Sequence, residues 1–302
     1  MYTELISHKI AELKKERKAV ILAHNYQLGE IQEAADFVGD SLELARKAAN
    51  VDAEVIVFCG VHFMAETAAI LSPEKTVLAP EPKAGCPMAD MISGEELREF
   101  KARYPGLPVV CYVNSTAEVK AESDICCTSA NAVKVVESLK SDTVLFVPDQ
   151  YLGAFVQAHT AKKIISWPGY CPCHARIKPE DILNLKKHYP KAKVVVHPES
   201  RPEVTALADG VLSTGQMVSY AARADVKELI VGTEIGMLYR LRKENPNKLF
   251  IPVSEQAVCA NMKMTTLPKL LAGLENMQTV VSVPEEIRRK AVGAVERMLK
   301  VT

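Results

Sequence analysis

A chain of 302 residues with 37 basic and 37 acidic side chains carries no formal net charge, which excludes the basic footprint that nucleic acid or an acidic membrane surface demands. It is long enough for two or three conventional domains, and no apolar stretch approaches the roughly 20 residues that span a bilayer. Residues 1–18 read as a charged amphipathic helix, not a secretion signal, so a cytosolic protein is expected. The first part of the chain predicts helix 3–17, with Leu5, Ile10 and Leu13 as an apolar stripe, and then strand 20–24. A helical stretch around Ala34, Ala35 and Val38 follows, then a break and cap at Gly39-Asp40-Ser41 and helix 42–49. Strand 55–58, helix 65–71 and strand 76–79 lead into a Pro/Gly-rich loop carrying Cys86.

The same grammar then returns twice. Helix 94–103 precedes strand 109–113, a cap at Thr128-Ser129, helix 132–139, strand 143–147, helix 152–158, strand 162–166 and a loop ending at Cys171. Helix 179–188 precedes strand 194–197, a helix opened by Ser213-Thr214-Gly215, strand 229–231, helix 237–245, strand 249–253 and Cys259. Helices 267–274 and 285–299 have no counterpart and are expected to pack one copy against another.

His24, Tyr112 and His197 are equivalent anchors, 88 and 85 residues apart. Two residues beyond them stand Tyr26, Asn114 and Glu199; seventeen beyond stand Ser41, Ser129 and Thr214. Such concurrent offsets mark an internal triplication. Strands that are apolar at most positions and alternate with helices predict parallel sheets covered on both faces. The expected fold is therefore α/β: three pseudo-threefold-related αβα (three-layer, parallel sheet) subdomains around a central active site. We expect them over 1–88, 89–174 and 175–264, with 265–302 as a helical tail.

Ligands of open parallel sheets bind beyond the strand carboxyl ends, which here carry His24, Tyr26, Tyr112, Asn114, His197 and Glu199. The helix starts that follow bring Ser41, Ser129, Ser213 and Thr214, whose hydroxyls and free backbone N–H groups suit a small ligand with several anionic groups. Of eight cysteines, Cys59, Cys111, Cys126 and Cys127 read as structural. Cys86, Cys171 and Cys259 fall on equivalent loops; Cys173 is the alternative to Cys171. Three cysteines suit a [4Fe–4S] cluster with one open iron acting as a Lewis acid better than a zinc site with four closely spaced ligands. His8, His62, His159 and His188 fall outside the matched offsets and read as structural.

Trp167, Gly169, Cys171 and His174, the run His24-Asn25-Tyr26-Gln27, the run His197-Pro198-Glu199, and Cys259-x-Asn261-Met262-Lys263 together resemble the quinolinate synthase family, the A protein of de novo NAD biosynthesis. The resemblance covers nearly the whole chain. It implies a transferase that condenses iminoaspartate with dihydroxyacetone phosphate to quinolinate, losing phosphate and two waters, with a [4Fe–4S] cluster on Cys86, Cys171 and Cys259. It also implies a functional link to the enzyme that supplies iminoaspartate. Some members carry a CxxCxxC stretch at the last cysteine, whereas this chain has only Cys259 there. Glu199 is the expected proton-moving carboxylate, tuned by His197 and Tyr26, with His174 facing the same cavity or supporting the cluster. Lys263 is either a neutraliser of ligand charge or a solvated surface lysine. An iron–sulfur hydro-lyase acting on a small hydroxy acid would use the same groups and is the competing reading.

Overall fold

The structure, a computed structural model, describes residues 2–301. The first sheet contains β1 (Ala19–His24), β2 (Phe37–Gly39), β3 (Val55–Cys59) and β4 (Thr76–Leu78). The second contains β5 (Val109–Tyr112), β6 (Ile125–Cys127), β7 (Thr143–Val147) and β8 (Lys163–Ser166). The third contains β9 (Lys193–Val196), β10 (Gly210–Val211), β11 (Glu228–Gly232) and β12 (Leu249–Pro252). Their strand orders are β2-β1-β3-β4, β6-β5-β7-β8 and β10-β9-β11-β12, the same order three times. Every strand pairing is parallel. Helices lie between the strands, giving three αβα units. The physical cause is the uninterrupted apolar character of the central strands: β3, Val-Ile-Val-Phe-Cys, is buried at every position, as a strand covered on both faces must be.

The short edge strands β2, β6 and β10 escape periodicity, having only three, three and two residues. Each nevertheless follows an aspartate at the same place in its copy. Asp36, Asp124 and Asp209 accept from the backbone N–H of Ile21, Val109 and Val194 on the neighbouring central strand, at 2.8, 2.7 and 2.8 Å. A strand too short to hold itself by packing is thus pinned by one carboxylate, and Cys126 and Cys127 lie in a strand, not merely ahead of a helix.

The first helix, Tyr2–Glu16, turns Ile6 and Ile10 inward against Leu267, Leu270 and Leu274 of helix Leu267–Asn276, while Leu5 is exposed. The expected stripe holds at Ile10 and Leu13, but Ile6 takes the place of Leu5, because the i,i+4 pair Ile6/Ile10 meets the neighbouring helix. The last helix, Glu285–Lys300, buries Ala291, Ala294, Val295 and Met298. It packs on His62–Leu71 of the first copy and on Ala117–Ala121 and β6 of the second. Asn131 Nδ2 donates to the carbonyls of Met298 and Val301 at its end. Among the described residues no helix is long and apolar enough to cross a membrane.

Candidate active site

The order within each sheet reverses beside its central strand, and at that switch the carboxyl ends of β1, β5 and β9 open a crevice. The three crevices merge into one cavity. Its closure is cyclic. His197, beyond β9, meets Ser129 of the second copy, Nε2 to Oγ 3.2 Å. Asn25, beyond β1, meets Thr214 of the third copy, Nδ2 to Oγ1 2.8 Å. Val113, beyond β5, lines one small pocket together with Ser41 of the first copy. Strand end bonds to the neighbouring helix start at two of the three junctions, and at the third the two line a shared pocket.

Backbone turns fix the imidazoles. Tyr26 N–H donates to His24 Nδ1 at 3.2 Å, and Glu199 N–H donates to His197 Nδ1 at 3.4 Å. Each Nδ1 must then be the acceptor, so the proton sits on Nε2. Burial pushes both imidazoles down to about 3, with Glu199 opposing and His174 adding to the shift. They are neutral donors.

The cysteine loops are placed by a device that also occurs three times. The amide of the residue 38 positions after each anchor donates to the carbonyl two residues before each cysteine. These bonds are His62 N to Ala84 O at 2.8 Å, Gln150 N to Gly169 O at 2.8 Å and Ile235 N to Ala257 O at 3.0 Å. A single 3₁₀ turn follows each cysteine: Ala89–Met91, His174–Arg176 and Asn261–Lys263. Its N–H groups aim back at sulfur, from Ala89 and Met88 to Cys86, from His174 to Cys171, and from Met262 and Asn261 to Cys259. Burial pushes all three thiols up, Cys86 to about 12, and the N–H groups pull against it. Asn261 Nδ2 donates to Gly85 O at 2.7 Å, tying the third loop to the first.

Around Glu199 the polar groups form a chain. Tyr112 donates to its Oε1 at 2.5 Å and Asn114 Nδ2 at 3.2 Å, while His174 Nδ1 lies 2.7 Å from Oε2. His174 Nε2 is 2.9 Å from Thr233 Oγ1, which is 2.6 Å from the Tyr26 hydroxyl. Burial alone would raise the Glu199 carboxyl, but the His174 and His197 rings and the bonds from His174 and Tyr112 outweigh it and hold it below the usual range. Burial, reinforced by the Glu199 charge, pushes the Tyr26 and Tyr112 hydroxyls up. One carboxylate thus stands among hydroxyl and imidazole groups placed to relay a proton.

Cys171 Sγ, His174 Nδ1 and a Glu199 oxygen lie within 4.8 Å of one another, close enough to hold a metal ion. The 2.7 Å from His174 to Glu199 is, however, a hydrogen bond. Two ligands of one zinc, each about 2.0–2.2 Å from it, would stand farther apart. Cys86, Cys171 and Cys259 all line the cavity, and so does Cys173.

The cavity brings together His24, Tyr26, Ser41, Tyr112, Asn114, Ser129, His174, His197, Glu199 and Thr214. Ser213 is not among the lining residues: it is buried, caps Gln216 N, and donates to Asp40 Oδ2 at 3.2 Å. The caps fall within the expected Gly39-Asp40-Ser41 and at the expected Ser213, and depart from expectation only at Thr128-Ser129. Asp40 caps helix Ser41–Asn50 and Asn131 precedes helix Ala132–Ser138, so Ser41 stands one residue inside its helix and Ser129 ahead of its own. Lys263 is neither solvated nor free: it pairs with buried Glu234 at 2.9 Å and donates to Tyr26 O. Glu234 in turn accepts from Cys259 N–H at 3.1 Å. Sequence reasoning missed Thr233 and Glu234 and read Asp40 only as part of a cap. Glu234 stands 37 residues after its anchor, where the other copies have Val61 and Asp149, so only alignment of the copies would have singled it out.

Fold and site define a class, a triplicated α/β protein whose polar, cysteine-lined central cavity is built for small-molecule chemistry. The family model described as "NadA: Quinolinate synthetase A protein" matches residues 8–300. A quinolinate synthase of Dehalococcoides mccartyi is 99% identical over 302 residues, covering 100% of both chains. One from Thermodesulfovibrio yellowstonii is 59% identical over 292 residues, 96% of each chain. Quinolinate synthase 2 of Methanosarcina acetivorans is 55% identical over 302 residues, 100% of this chain and 97% of that one. The chain belongs to the quinolinate synthetase A family.

Proposed function

We propose that this chain makes quinolinate by condensing iminoaspartate with dihydroxyacetone phosphate, releasing phosphate and two waters. The observation that carries this reading is the shared cavity: three cysteine loops held by equivalent backbone bonds open onto the same space as Glu199 and the neutral donors of three strand ends. We take 1–88, 89–174 and 175–264 as the three units and 265–302 as the tail that covers them. We class the enzyme as a cytosolic transferase fed by an enzyme that produces iminoaspartate.

The cysteines fit a [4Fe–4S] cluster on chemical grounds. Each buried sulfur already receives backbone N–H groups, which favour the thiolate. Without a cation, burial keeps those thiols protonated, and a metal centre supplies the missing positive charge. Cys86, Cys171 and Cys259 would hold the cluster, whose iron lacking a protein ligand supplies Lewis acidity toward a substrate oxygen. The protein's own groups do the rest. His24 Nε2–H, the Ser129 and Thr214 hydroxyls and Ser41 donate to carboxylate and phosphate oxygens without adding charge. Glu199 takes a proton from substrate carbon or nitrogen, and the His174–Thr233–Tyr26 chain carries protons to and from the cavity. Phe63, Met64, Met88 and Met262 form the apolar wall that limits water.

Anaerobic reconstitution with iron and sulfide tests the reading. The protein should turn brown, bleach in air, and form quinolinate from dihydroxyacetone phosphate and freshly generated iminoaspartate. Cys86→Ala, Cys171→Ala and Cys259→Ala should each lose the colour and the activity, and Cys173→Ala should keep the colour. A colourless protein, or a brown one that turns over a hydroxy acid with no need for a triose phosphate, would overturn it.

A further inference from the structure

We propose that Arg240 and Asn25 are positioning residues that lock the Thr214 hydroxyl as a hydrogen-bond donor to an acceptor group of the ligand. The inference rests on reading the cavity as the quinolinate site and assigns roles to two residues outside its lining. Arg240, on the third copy, sends Nη1 to Asn25 Oδ1 at 2.8 Å and to Val38 O at 3.0 Å; its Nε pairs with Glu244 at 2.7 Å. A guanidinium only donates, so the Asn25 atom facing it must be the carbonyl oxygen. The amide nitrogen of Asn25 is thereby turned to Thr214 Oγ1, 2.8 Å away. Asn25 cannot flip without setting two donors against each other. Its backbone is also held, with N–H donating to Gly39 O at 3.1 Å and carbonyl accepting from Gln32 Nε2 at 3.1 Å.

Thr214 Oγ1 accepts from Asn25, so its own proton must point elsewhere. Among the described residues Asn25 is its hydrogen-bond partner, and Thr214 lines the cavity. The hydroxyl therefore donates inward. Ser129 is treated alike: it accepts from the Nε2–H of His197 and has its proton to give. Ser41 has apolar Val113 at the corresponding place, and its polarity is open. A hydroxyl of fixed polarity discriminates between ligands, since a carboxylate or phosphate oxygen accepts from it and a donor-only group such as an ammonium meets it proton to proton. Arg240 thus brings the influence of a cation to the site with no charge in the cavity.

Asn25→Asp reverses the relay at constant shape. Both carboxylate oxygens accept, Arg240 stays paired, and the Thr214 proton turns away from the ligand. The dissociation constant of quinolinate, measured by calorimetry on the cluster-loaded enzyme, should rise roughly ten- to a hundredfold. Thr214→Val should weaken binding similarly, and Asn25→Asp/Thr214→Val no further than Thr214→Val alone. Arg240→Met should weaken binding, and Arg240→Lys, still only a donor, should recover most of it. Wild-type binding in Asn25→Asp or Arg240→Met would overturn the relay. So would additive losses in the double variant, because the new carboxylate would then be repelling the ligand directly. Neutron diffraction reads the same point without ligand. A Thr214 deuterium directed into the cavity supports the relay, and one lying between Oγ1 and Asn25 overturns it. Wild-type enzyme that binds no quinolinate would instead sink the functional reading, leaving the neutron result to decide the relay.

Discussion

At the scale of single residues, the chemistry hangs on Glu199, a carboxylate bonded to Tyr112, Asn114 and His174 and reached by almost no solvent. Glu199→Gln keeps the shape and the bond from Tyr112 but removes the base. Turnover should fall by roughly 10²–10⁴-fold, the range for a lost general base, with the cluster absorbance and quinolinate binding retained. Rate assays beside binding on the same preparation check this, and near-normal turnover would exclude Glu199 as the base. Thr233→Val removes the short bridge between His174 and Tyr26 while filling the same space, leaving only their direct contact of 3.4 Å. The two buried groups then exchange a short partner for a long one, at a cost of at most about 1–3 kcal/mol in all. Thermal stability should drop slightly, and kcat should fall more than quinolinate affinity. Neither the sequence motifs nor the repeat offsets single out Thr233, because its importance arises from touching Tyr26 of one copy and His174 of another.

At the scale of elements, the cysteine loops depend on backbone that passes very close to other backbone. Gly169 is the tightest case. A Cβ there would lie 2.5 Å from Pro148 O, nearer than carbon and oxygen can approach. Gly169→Ala must therefore push apart the strand-end segment and the loop two residues before Cys171, breaking the Gln150 N to Gly169 O bond. Iron and sulfide per chain after reconstitution should fall well below wild type, with far-UV circular dichroism little changed. A full cluster in that variant would show that the clamp does not position Cys171. The equivalent clamps at Ala84 and Ala257 explain how three loops of unrelated sequence present sulfur alike.

At the scale of the whole molecule, the first and third copies bring neutral imidazoles into a common, buried centre. His24 and His197 titrate near 3 when folded and near 6.5 when unfolded. Between those values the unfolded chain binds more protons, so stability falls as pH drops below about 6.5. Glu199, held low when folded, adds the same sign below about 4.5. Asp149 and Glu43 oppose them, because burial raises both carboxyls, so the imidazole contribution is isolated by comparing wild type with a histidine variant. Thermal melts of the cluster-free protein at pH 7.5, 6 and 5 should show a falling midpoint, with a shallower fall in His197→Gln. A midpoint independent of pH over that range would contradict the burial of neutral histidines.

The sequence by itself determined the triplication, the parallel α/β class, the family resemblance and most residues of the cavity, because apolar runs and polar strand ends recur at fixed offsets. It also held a signal left unread, the aspartates 36, 124 and 209 that pin the edge strands. What it could not determine was which groups of different copies would meet. Ser41, Ser129 and Ser213 look alike as helix openers, yet tertiary contact sends Ser213 to Asp40 and gives Ser129 to His197. Lys263 reads as a neutraliser of ligand charge or a surface charge until Glu234 is folded against it. The physical reason is that local pattern sets which atoms a residue offers, while closing three units on one another sets which of those atoms are already occupied.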